Sequence, residues 1–103
     1  MAADGFTESW IVKPFGAYSF EVQWAGADAV DSTVSIQISN TGAQWNGYGM
    51  NPAFTCDAPS GAAMVIVPDA PATVYARLAF TANTNTTGQL VIYTNGTPHK
   101  GYA

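Results

Sequence analysis

A chain of 103 residues holds one domain around one core, and it can bury enough surface to fold without a metal or a disulfide. Three Lys/Arg against seven Asp/Glu give a net charge of −4, which argues against a nucleic-acid partner, because phosphates demand a basic face. Charged residues make up 10% of the chain, against the ~25% of an ordinary soluble domain, so the surface falls to Ser, Thr, Asn, Gln, Gly, Ala and aromatics and suits a subunit interface or a sugar-facing surface.

In chain order, the opening Met1-Ala2-Ala3-Asp4-Gly5 carries neither the basic nor the apolar stretch of a secretory signal. No apolar run approaches the ~20 residues of a membrane span. The expectation is synthesis in a cytoplasm, with no membrane partner. Residues 1–14 read as a flexible arm, with a short strand at 6–13. Residues 18–24, "YSFEVQW", alternate apolar and polar at every step, the mark of a strand with one buried face. A second alternating strand, 33–39, turns Val34, Ile36 and Ile38 inward. It ends in Asn40-Thr41-Gly42, where Asn and Gly tolerate the positive φ of hairpin loops, and Trp45 lies on the returning strand.

Residues 62–67, "AAMVIV", are so apolar that they read as a central strand. Residues 74–80 set Val74, Ala76, Leu78 and Phe80 on one face and Tyr75, Arg77 and Ala79 on the other. Residues 89–94 make a final strand, and 97–103 a tail. Turn clusters separate these segments, and nowhere do apolar residues take the i, i+3, i+4, i+7 spacing of an amphipathic helix. Six to eight short strands at this spacing predict an all-β fold, a single antiparallel β-sandwich of immunoglobulin-like or jelly-roll-like form.

The residues that carry chemistry are sparse. Cys56 is the sole cysteine, lacks the spacing of a zinc site, and reads as a small buried apolar residue. His99, the sole histidine, is remote from it in sequence. Glycoside hydrolysis needs two carboxylates about 5–10 Å apart in a cleft, whereas Asp28, Asp31, Asp57 and Asp69 fall in turns, where carboxylates accept backbone N–H bonds. Asp28 and Asp31 lack the dense oxygen-ligand spacing of a calcium loop. With no phosphate-cradling glycine loop, GxSxG or HExxH, the prediction is a non-enzyme with no cofactor and no metal. The N-x-T sequons at Asn85 and Asn95 read as accidental.

Binding candidates are aromatic. Trp45 either closes its hairpin by packing across strands or, with Tyr48 and near Asn46 and Asn51, forms a platform for a carbohydrate ring. Arg77 sits mid-strand between Tyr75 and Ala79 and either lies over an aromatic or pairs across an interface. If the strands at 74–80 and 89–94 are neighbours, Tyr75, Arg77, Val91 and Tyr93 share one associating patch. Trp10, exposed near the start, joins this set.

Three quoted stretches carry a resemblance: "YSFEVQW", "STVSIQISNTGAQW" and "AAMVIVPDAPATVYARLAFTANTNTTGQLVIYTNG". They resemble a group of small virion proteins of tailed bacteriophages, across residues 18–96. Those proteins share a VQVxW strand, an xVSNDGxxW hairpin, a YxRLxYT strand and a GxLxxY strand. The matching residues are Val22, Trp24, Ser39, Asn40, Gly42, Trp45, Tyr75, Arg77, Leu78, Phe80, Thr81, Gly88, Leu90 and Tyr93. The chain departs at Thr41, where Asp is commoner, and in a longer stretch at 48–60. The resemblance implies a β-sandwich that decorates a capsid exterior as a cement protein. It would bind major capsid protein subunits, often as a homo-oligomer, a trimer on local three-fold axes, with Trp10, Trp45, Tyr48, Tyr75, Arg77 and Tyr93 as contacts. An adhesin or fibre component with Trp45 and Tyr48 on sugar is the alternative.

Overall fold

The computed structural model describes residues 1–98. His99 and the rest of the expected tail lie outside the described residues. The chain forms β1 (Gly5–Phe6), β2 (Trp10–Ile11), β3 (Phe15–Ala25), β4 (Ser32–Ser39), β5 (Asn46–Tyr48), β6 (Phe54–Cys56), β7 (Gly61–Val67), β8 (Tyr75–Thr81) and β9 (Gln89–Pro98). All pairings are antiparallel, and they make two sheets packed as a β-sandwich.

The larger sheet is centred on β4 and β8. The short β1 and β2 line one side of β8, and the short β5 and β6 line the far side of β4. The smaller sheet runs β7-β3-β9. Alternation decides what lies between them: β3 sends Tyr18, Phe20, Val22 and Trp24 inward, β7 sends Val65 and Val67, β4 sends Val34 and Ile36, and β8 sends Ala76, Leu78 and Phe80. Each fully buried side chain of this size contributes about 1.5–3 kcal/mol by leaving water. Trp24 also donates its indole N–H to the Ala58 carbonyl at 2.8 Å and stacks on Phe54. A Cβ at Gly61 would fall 2.7 Å from the Trp24 ring, so the glycine there makes room for the tryptophan.

Three sequence expectations change. The strand expected at 6–13 is split into β1 and β2, and the stretch at 48–60 supplies β6 and part of β5, so the described residues form nine strands where six to eight were expected. Residues 62–67 are not central. β7 is an edge strand, and its apolar character reflects an outer face where Met64 and Ile66 are more than half exposed. The expected free arm lies on the sheet: Gly5 and Phe6 pair with Phe80 and Ala79, and Trp10 and Ile11 pair with Ala76 and Tyr75.

One end of the sandwich is tied by a single buried amide. Asn85 is 1% exposed, and its Oδ1 accepts the N–H groups of Asp28 and Ala29 while its Nδ2 donates to the carbonyls of Met1 and Thr87. All of its donors and two acceptor positions are used, which is what a buried amide requires. The first sequon is therefore a structural asparagine.

Candidate functional site

β8 is in register with β4, so Arg77 lies beside Gln37 on the outer face of the larger sheet. Its Nε donates to Gln37 Oε1 at 2.8 Å. Its guanidinium lies between two rings, with Cζ 3.7 Å from the Phe6 centroid and 4.2 Å from the Trp45 centroid. Both distances fall within the ~6 Å range where a ring face attracts a cation.

Each partner reaches Arg77 for a local reason. Phe6 comes from β1, which bridges to β8 at Ala79, two residues along the same face. Trp45 comes from the loop after β4. There Ser39 Oγ accepts the N–H groups of Thr41 and Gly42, and Thr41 Oγ1 accepts those of Ala43 and Gln44. Hydroxyl groups bonding the backbone two and three residues on hold such a turn without a strand ladder. Gly42 adopts φ +77°, which favours glycine, and a Cβ added there would sit in ordinary contact with the Tyr75 ring. The stretch "ISNTGAQW" is thus a polar turn that aims its tryptophan at Arg77. Ile11, 63% exposed and in register with Tyr75, extends the face past the stack.

The expected contacts separate. Trp45, Tyr75 and Arg77 come together on this face. Trp10 faces inward, half-buried, with its ring 4.8 Å from Phe20. Tyr48 also faces inward, in register with Ile36 and against the core, so Trp45 and Tyr48 form no shared platform. Three residues apart on an extended chain, their side chains take opposite sides. Tyr93 is on the other side of the molecule, because β9 and β8 belong to different sheets. With Val91, Met64 and Ile66 it lies on the outer face of the smaller sheet around Glu21. Phe6 was absent from the sequence candidates. Its signal was a lone aromatic in a segment whose pairing with the arginine strand periodicity does not reveal.

Cys56, Asp28 and Asp31 are engaged within the fold. Cys56 is fully buried, and burial, then the neighbouring Asp57, push its thiol up and away from the reactive thiolate. Asp28 is held below the usual carboxylate range by the hydroxyl and backbone N–H of Thr86. Asp31 accepts the Thr84 N–H and hydroxyl. Both turn aspartates thus bind the 83–88 loop, as expected of acids in turns. Among the described residues no three His, Cys, Asp or Glu side chains converge as a metal site would require. No family model, characterised protein or solved structure matches the chain.

Proposed function

We propose that this chain is a non-enzymatic structural protein of a tailed bacteriophage virion that binds major capsid protein on the outside of the shell. The observation that carries the reading is the Phe6–Arg77–Trp45 stack on the outer face of the larger sheet, next to the exposed Ile11 and the half-buried Tyr75. Aromatic residues and Arg dominate protein-binding hot spots: the rings offer a large contact area with few freedoms to lose, and the guanidinium offers a planar fork of donors that also stacks on rings. Here the two rings and the Gln37 amide hold the guanidinium before a partner arrives, so less ordering is left to oppose binding. The resemblance to virion accessory proteins supplies the identity of the partner. A protein of this kind needs no catalytic group.

The test is co-sedimentation of the purified protein with capsid shells of the phage that encodes it, for the wild type and for Arg77→Glu. The wild type should pellet with shells and the variant should remain in solution with an unchanged circular dichroism spectrum. Equal binding by the two would overturn this assignment of the face, and no binding by either would overturn the capsid role.

A further inference from the structure

Among the described residues the smaller sheet is one row narrower than the larger. The larger has four rows, formed by β1 with β2, β8, β4, and β5 with β6, while the smaller has three. The unmatched row shows at the free edge of β9. Thr94 is in register with the inward-facing Phe20, yet it is exposed. Beside it a groove of ≈ 360 Å³ opens between the sheets, lined by Trp10, Phe15, Tyr18, Phe20 and Thr94 among others. Among the described residues β9 pairs only with β3.

Unpaired edges of this length are normally blunted by charge, bulges or proline, because they are templates for another strand. The larger sheet follows that rule, with edge strands of only two or three residues. β9 does so only at its last residue, Pro98, beside the register shift of its ladder with β3 between Phe15 and Ala17; the preceding nine residues, 89–97, carry no charge. The β7 edge is shorter, at seven residues, and a second groove there is walled by Tyr48, Met50 and Ala53 of the neighbouring segment.

We propose that β9 is a self-association edge, pairing antiparallel with β9 of a second copy of this chain about a two-fold axis. The occupant is a second copy because an uncharged strand brings no like charges against itself, and because an isologous contact needs only one surface. Overlap of the whole uncharged segment, 89–97, centres the axis on Tyr93. Ile92 of each copy then faces Thr94 of the other over the groove, and the two Tyr93 rings meet on the outer face. The nine-residue overlap is about 30 Å long. With the 20 Å smallest extent of the molecule it presents a strip of about 600 Å², somewhat below the ~800 Å² per partner of a standard interface. The contact leaves the Arg77 face free and does not depend on the capsid reading. It is also a different assembly from the trimer implied by the resemblance.

The test is the solution mass of the wild type and of a V91K/Y93K variant by native mass spectrometry, with a Y93C variant for the axis. Both altered positions point outward and are about half exposed, so folding is retained. The wild type should be a dimer and V91K/Y93K a monomer, and Y93C should form a disulfide-linked dimer on air oxidation, since Cys56 is buried. A wild-type monomer or trimer at tens of micromolar, or a V91K/Y93K dimer, would overturn the proposal. A dimer without the Tyr93→Cys cross-link would overturn the axis.

Discussion

The two sheets solve the problem of an outer surface in opposite ways. The larger sheet ends in broken two- and three-residue strands and carries on its face an arginine held between Phe6 and Trp45. The smaller ends in long, uncharged strands, and its face sets Met64, Ile66, Val91 and Tyr93 around Glu21. Short edges resist backbone pairing, so partner recognition on the larger sheet must come from side chains. Long edges invite backbone pairing, which is generous in hydrogen bonds and demands little of side-chain identity. One fold can therefore support a selective face and a self-pairing edge without either disturbing the core.

The largest effects should come from the core that both sheets share. Phe20→Ala from the smaller sheet and Leu78→Ala from the larger should each cost about 2–5 kcal/mol, in one cooperative denaturant transition. Two separate transitions would show that the sheets are independent. Next comes the tie between loops: Asn85→Ala leaves buried N–H and carbonyl groups unpaired and should cost about 3 kcal/mol, also read by denaturant melting. Smaller still is the effect of Arg77→Ala, about 1 kcal/mol on stability from two exposed cation–π contacts, while shell binding should be lost. A large stability loss would recast the stack as structural.

Acidity gives the gentlest probe. Burial first, and then Tyr48, push the Tyr18 phenol from 10.0 to about 12. The unfolded chain loses this proton before the folded one does, so stability should hold below pH 10 and fall between pH 10 and 12. The Asp28 carboxyl is lowered instead, so its contribution should be present above the ordinary value of 3.8 and fade as pH falls through the folded value. Tyr18→Phe should flatten the alkaline limb of a pH–stability curve and leave the acid limb unchanged.

How much of this was legible follows from what periodicity encodes. Alternation at 18–24, 33–39 and 74–80 told which residues face inward, and Phe20, Val34, Ile36 and Leu78 are buried as read. Alternation does not say which sheet a strand joins, so Arg77 and Tyr93 could be assigned to outer faces but not to opposite ones. The apolar run at 62–67 has the composition of a strand buried on both faces, and only the pairing shows that its second face is open. The separation of Trp45 from Tyr48 was in principle readable, since an odd offset along an extended chain reverses the side. Phe6 was not, because its neighbour in the site is 71 positions away in sequence.

The most direct measurement is amide hydrogen exchange on the free and the shell-bound protein, followed peptide by peptide. Shell binding should slow exchange in residues 5–9 and 40–45, around the Arg77 stack, while β9 is slow already in the free protein. New protection confined to β7 and β9, with residues 5–9 and 40–45 unchanged, would contradict it.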